Sequence, residues 1–138
     1  MKVVLLKPGD EALLCRVEGS FNDAPTLERA ALLLREPTYV MVAALTDDGE
    51  PMSRIYGHVI HLAKQTDFLL YEVDTADQHK RKGAARAIVN FLREIGRERG
   101  WKEMWVLTEV SNDEGNPFYE SVGGELENSP TNMYVFKL

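Results

Sequence analysis

Gln78-His79-Lys80-Arg81-Lys82-Gly83-Ala84-Ala85 gathers basic side chains, a glycine and two alanines between a β-rich run and a stretch of helical periodicity. The first N–H groups of a helix have no partner within it, and the macrodipole adds roughly half a positive charge, so such a turn suits an anion. Gly83 and Ala85 leave room for phosphate oxygens to reach the main chain. Lys80, Arg81, Lys82 and Arg86 also read as a solvated basic surface, but positive charge in a first helical turn opposes the dipole and gains nothing without a ligand. Neither the nucleotide loop G-x-x-x-x-G-K-[ST] nor the dinucleotide fingerprint G-x-G-x-x-G is present. What remains is a [Gln/Arg/Lys]-x-x-Gly-x-[Gly/Ala] turn.

Other chemistry-bearing residues are sparser. Alternation puts Glu72 on the strand face of Phe68 and Leu70, an apolar surface that would raise its pKa on burial. Glu109 shares a face with Trp105 and Leu107 at the end of a later strand; solvation beyond the sheet is the other reading of both carboxylates. His58 and His61, three apart in a strand, point to opposite faces, so no metal site is expected. Trp101 and Trp105, four apart, read as packing residues on one sheet face. Cys15 reads as a small core residue of the first helix; a single cysteine forms no internal disulfide and fits a cytoplasmic, reducing setting.

The elements that must position these residues follow from periodicity. A strand over 1–6 ends at Lys7-Pro8-Gly9, and Asp10 is the candidate N-cap of a helix to about Val17. Thr26 caps a second helix with Leu27, Ala30, Ala31 and Leu34 on one stripe, which Pro37 ends. Strands are expected over 39–45 and 55–62, joined through Asp48-Gly49, and a third over 68–74. Ala84, Ile88, Phe91, Leu92 and Ile95 then recur at helical spacing, and Gly100 stands where a left-handed terminator belongs. A strand over 104–108, a short helix opened by Asn116-Pro117 and ended by Gly123-Gly124, and a strand over 133–137 complete the order. The strand, helix, strand unit from 68 to 108 puts two parallel strands in an otherwise antiparallel sheet.

At 138 residues, with 44% hydrophobic and 28% charged, the chain is expected to form one domain, 1–138. Its 22 acidic against 16 basic residues give −6, which opposes nucleic-acid binding and favours a cationic partner. No apolar run approaches a signal peptide or a membrane span, so a cytoplasmic protein without membrane contact is expected.

Taken with Val73-Asp74-Thr75 before it, and Asn112 and Phe118-Tyr119-Glu120-Ser121-Val122-Gly123-Gly124 after it, the turn Lys80-Arg81-Lys82-Gly83-Ala84-Ala85 resembles the GNAT superfamily of acyl-CoA-dependent N-acyltransferases. The resemblance covers nearly the whole chain, because the element order also matches. It implies an α/β (α+β) fold: a mixed, mainly antiparallel sheet of six or seven strands with a splayed central parallel pair, flanked by about four helices. Acetyl-CoA is the implied co-substrate. Its pyrophosphate would sit on the N–H groups of Arg81, Lys82, Gly83, Ala84 and Ala85 beside Lys80, and its pantetheine arm would pair with the main chain of Val73, Asp74 and Thr75. Asn112 would add a hydrogen bond. Lys80 stands where the family has Gln or Arg, and Thr75 where it has an aliphatic residue; the main-chain chemistry depends on neither.

Tyr119 matches the general acid that protonates the departing thiolate; a tyrosine, with an ordinary pKa near ~10, stays protonated at neutral pH. An aromatic packing role beside Phe118 is its other reading. Glu72 or Glu109 would take the proton of an amine, or hold its cation while water takes it. The expected reaction is acetyl transfer to a primary amine by direct attack in a ternary complex, since no cysteine lies near these residues. Leu70-Tyr71-Glu72-Val73 with the following turn looks most similar to the aminoglycoside 3-N-acetyltransferases, and the acidic excess suits a polyamine acceptor. A protein N-terminus or lysine as acceptor, and a non-catalytic acyl-CoA-binding module, stay open, as does a homodimer.

Overall fold

Thr26 shows how local sequence sets an element boundary here. In the computed structural model its hydroxyl accepts a hydrogen bond from the Arg29 N–H at 3.1 Å, capping a helix whose Ala30 and Leu34 are buried. The structure describes residues 1–127 and 131–138, which form two compact units, Met1–Leu107 and Thr108–Leu138.

The first unit runs β1 (Lys2–Leu5), α1 (Glu11–Gly19), α2 (Leu27–Arg35), β2 (Tyr39–Leu45), β3 (Pro51–His61), β4 (Thr66–Thr75), a 3-10 turn (Asp77–His79), α3 (Ala84–Arg99) and β5 (Met104–Val106). Its strands lie in chain order in one sheet, antiparallel throughout except for the parallel pair β4 and β5. β2 lies between β1 and β3 and is buried on both sides because its faces are both apolar. Met41, Ala43 and Leu45 pack with Leu14, Val17, Ala30 and Leu34 of α1 and α2. Val40, Val42 and Ala44 are likewise buried, on the alternate positions that α3 covers. α3 buries Ala84, Ile88, Val89, Leu92 and Ile95 at the expected spacing, and Gly100 ends it at φ +76° with its N–H on the Gly96 carbonyl.

Asp10 precedes α1 as expected, but its carboxylate accepts from the Lys7 N–H at 2.9 Å, closing the Pro8-Gly9 turn rather than capping the helix. β3 starts at Pro51 instead of 55, because Thr46 and Glu50 exchange main-chain and side-chain hydrogen bonds across Gly49 and zip the ladder from the turn. Trp101 and Trp105 do not share a sheet face. Trp101 precedes β5 and stacks on Phe68 with ring centroids 4.6 Å apart, whereas Trp105 is partly exposed on β5.

In the second unit α4 spans Gly115–Ser121, with Gly123 at φ +89° behind it. Asn116-Pro117 does lie in its first turn, yet the side chain that satisfies the helix start is Asn112, whose Oδ1 accepts from the Gly115 N–H at 2.8 Å. Asn116 Nδ2 instead donates to the carbonyls of Glu109, Val110 and Asn112. The strand expected over 133–137 is not formed among the described residues: Met133, Val135 and Phe136 are exposed and the segment joins no ladder. Alternating apolar residues supply strand propensity, but a strand exists only where a partner takes its hydrogen bonds. Five strands are therefore described, fewer than the six or seven expected, within the expected mixed α/β architecture and its four helices.

One irregularity bears on function. β3 and β4 pair Tyr56 with Glu72 and then Gly57 with Leu70, so Tyr71 is an extra residue, a β-bulge. Gly57 sits opposite it because a Cβ there would meet the Leu69 carbonyl and lie 2.7 Å from Phe68 Cζ. Gly57→Ala is expected to destabilise the fold by about 1–3 kcal/mol through overpacking. Urea unfolding checks this; a variant as stable as the parent would show that the bulge tolerates a side chain.

Candidate active site

The bulge decides where Glu72 points. An uninterrupted strand would put Glu72 with Phe68 and Leu70, the positions packed toward Trp101. With Tyr71 inserted, Glu72 turns to the opposite face, the one covered by α1. The apolar setting expected for Glu72 is thus replaced by a charged one. Arg54 of β3, its side chain 0% exposed, pairs through Nη2 with Glu72 at 3.3 Å and Asp74 at 2.9 Å, and through Nε with Glu18 of α1 at 2.8 Å. Asn22, with its amide oxygen turned toward the guanidinium, accepts from the same Nη2 at 2.9 Å. The rings of Tyr56 and Phe21 flank the guanidinium at 5.0 and 5.6 Å.

Three carboxylates surround one cation, and burial disfavours the charge of two of them, Glu18 and Asp74. Asp74 is raised above its usual value by burial first, Arg54 opposing and Glu72 adding to the rise. Glu18 is raised in the same way, again with Arg54 opposing. Burial, then the neighbouring Glu72, lifts the Tyr56 phenol; burial, then Glu18, lifts that of Tyr39. These tyrosines continue a row of rings along the face. Tyr56 and Tyr71 stack at 5.6 Å, Tyr39 and Tyr56 lie 5.9 Å apart, and His58 meets Tyr39 edge-on at 5.6 Å.

β4 also carries the main-chain part of the site. Its parallel ladder with β5 ends at Leu70 paired to Val106, while β4 itself continues to Thr75. On the β3 side the pairing runs on to Thr75, so the open edge over 71–75 faces only the β5 side. Ser53, fully buried, donates to the Asp74 carbonyl at 2.7 Å and lies 2.9 Å from the Thr75 hydroxyl, pinning the strand end. A polar recess between Phe21, Pro51, Asp74 and Gln78 borders this end.

Beyond it, Arg81 at φ +60° and Gly83 at φ +79° are both left-handed. Left-handed backbone costs a non-glycine residue roughly 1–2 kcal/mol, and it is the conformation of main-chain nests that cradle anions. Gly83, the N-cap of α3, has no side chain to cap it, and among the described residues a Cβ there would meet nothing within 4 Å, so the space beside Gly83 is open. Arg81 and Lys82 are exposed, and Lys80 Nζ pairs with Asp77 at 3.0 Å. Ala84 is buried and Ala85 half-buried, small enough to seat the helix close to the sheet.

Glu109, Asn112 and Tyr119 belong to the second unit. Glu109 is exposed in a turn and accepts from the Ser111 hydroxyl at 3.5 Å. Both ends of the Asn112 amide are engaged, Nδ2 donating to Thr108 at 2.8 Å and Oδ1 holding Gly115. Tyr119 is half-buried on α4, its ring edge-on to Phe118 at 5.4 Å. Sequence reasoning named Glu72, the main chain of Val73, Asp74 and Thr75, and Asp74 within the acidic excess, but missed Arg54, Glu18, Tyr39 and Tyr56. Arg54 lay outside the strand expected over 55–62, so the alternation of that strand assigned it no face.

The acetyltransferase (GNAT) family model matches residues 10–123. No curated protein sequence matches the chain. Among solved structures, an aminoglycoside acetyltransferase from an uncultured soil metagenomic sample, in complex with sisomicin, is similar at a TM-score of 0.87 and 18% identity, over 99% of this chain and 96% of that one. AAC(6')-Iy in complex with a CoA bisubstrate analogue is similar at 0.80 and 13% identity, over 99% and 98%. The ribosomal-protein-alanine N-acetyltransferase of Brucella melitensis biovar Abortus 2308 is similar at 0.77 and 16% identity, over 99% and 100%. No helix among the described residues is long and apolar enough to cross a membrane.

Proposed function

The chain belongs to the acetyltransferase (GNAT) family, and on that premise we propose that it moves an acetyl group from acetyl-CoA to a primary amine, within a single domain over 1–138, by direct attack in a ternary complex. The observation that carries this reading is the outer edge of β4, which runs five residues past its last pair with β5, over 71–75. The open turn before α3 lies on the chain immediately beyond it. The residues present fit acetyl-CoA: the main chain of Val73, Asp74 and Thr75 would take its pantetheine arm. The N–H groups from Arg81 to Ala85, with Lys80, would take its pyrophosphate.

When bound, acetyl-CoA supplies a thioester already activated toward amines. On this reading a main-chain N–H near Val73 would polarise the carbonyl, Glu72 or Glu109 would take the ammonium proton, and Tyr119 would protonate the thiolate as the C–N bond forms and the C–S bond breaks, the nitrogen's second proton restoring the phenol. The acceptor we favour is an aminoglycoside or another polyamine. Glu18, Glu72 and Asp74 outnumber Arg54, and Tyr39, Tyr56 and Tyr71 offer ring faces beside them, a setting suited to several ammonium groups.

Thiol release from acetyl-CoA across aminoglycosides, polyamines and short peptides tests the reading. Release with the first two supports it, release with peptides alone moves the acceptor to a protein N-terminus or lysine, and silence throughout favours a non-catalytic acyl-CoA-binding module. Gly83→Val tests the turn separately: forced out of φ +79°, it should raise the acetyl-CoA KM about tenfold with kcat little changed, the pattern of lost uniform binding. An unchanged KM would remove the turn from cofactor binding.

A further inference from the structure

Arg54 is a poor investment if stability is its only role. Its side chain is fully buried, and Nη1 has no hydrogen-bond partner among the described residues. An orphaned buried donor costs roughly 1–3 kcal/mol, and an apolar residue of similar volume often replaces a buried ion pair without loss. What an apolar residue cannot do is bridge two carboxylates. Nη2 reaches Asp74 Oδ2 at 2.9 Å and Glu72 Oε2 at 3.3 Å from one nitrogen. The bulge at Tyr71 and the two-residue spacing bring both carboxylates to that nitrogen.

We propose that Arg54 is a positioning residue that holds Glu72 and Asp74 together as one ionising pair at the open edge of β4. The proposal rests on the reading of Glu72 as the base. Without the guanidinium, the two carboxylates that share its Nη2 would repel each other, and the first proton taken would be shared between them. With it, both carboxylates are held toward one cation and oriented, so that Glu72 can accept the amine proton while Asp74 stays on Arg54. The groups facing the pair are Glu18 from α1, Tyr39 from β2, and Tyr56 and Arg54 from β3. Of these Arg54 is the cation bonded to both carboxylates, and Glu50, Asp77 and His79 line the recess beside Asp74. Asn22 and Phe21 complete the surroundings without charge.

The test follows the side-chain carboxyl carbons of Glu72 and Asp74 by NMR across pH in the full chain, beside the pH profile of kcat/KM. In the parent protein both carboxyls are expected to show the same two-step titration, and the Arg54 side-chain nitrogens to shift at the same midpoints. Independent single-step titrations would overturn the proposal without any variant being needed. In Arg54→Met the midpoints should rise by about one to three pH units. In Arg54→Lys, which keeps the charge, they should return most of the way. Unmoved midpoints in a folded Arg54→Met protein overturn it. Midpoints that move while the acid limb of kcat/KM stays in place support Arg54 as the organiser of the pair and reject Glu72 as the base, so the two readings fail separately.

Discussion

Glu72→Gln is expected to lower kcat by about 10²-fold or more, with the acetyl-CoA KM near that of the parent, because a general base contributes ~10²- to 10⁴-fold and the proposed acetyl-CoA site is made of main chain. Glutamine keeps the shape of the side chain and an acceptor for its neighbours, so what is lost is the ability to take a proton. Arg54 retains Asp74 at 2.9 Å and Glu18 at 2.8 Å, which keeps the guanidinium paired and the variant folded. The acid limb of kcat/KM should flatten, since the group whose protonation switches activity off is gone. Steady-state thiol release across pH measures both. The parallel variant Glu109→Gln separates the two carboxylates: if it collapses turnover while Glu72→Gln stays within twofold of the parent, the base is Glu109.

Tyr119→Phe removes one hydroxyl and little else, and turnover should fall roughly 10²-fold with CoA affinity unchanged. The ring contact with Phe118 at 5.4 Å survives, as does the main-chain bond from the Gly124 N–H to the Tyr119 carbonyl at 2.8 Å, so α4 and its terminator keep their geometry. A loss confined to kcat marks an interaction made only in the transition state. Isothermal titration with CoA together with single-turnover acetyl transfer reads the two halves. Turnover at the parent level would assign Tyr119 to packing alone and leave the thiolate to be protonated by solvent.

Local patterns settled much of this molecule. The long helix is written in its 3.6-residue stripe and in Gly100, and the hairpin in Asp48-Gly49. The basic turn before α3 is written in its glycine and charged residues, and the parallel pair in the strand, helix, strand order, though among the described residues it lies at the sheet edge rather than the centre. Each depends on contacts a few residues apart or on main-chain geometry that one residue type permits. The direction of Glu72 does not. It follows from a bulge of one residue opposite Gly57, and a period-two count has no means of detecting an insertion in the partner's register. Nor does the sequence bring Glu18, Arg54 and Asp74 together, because Arg54 meets Asp74 only in the β3–β4 register and Glu18 only when α1 lies on the sheet. The apolar residues of 133–137 show the same rule from the other side. Pattern supplied the propensity, and the absence of a partner strand among the described residues decided against the ladder.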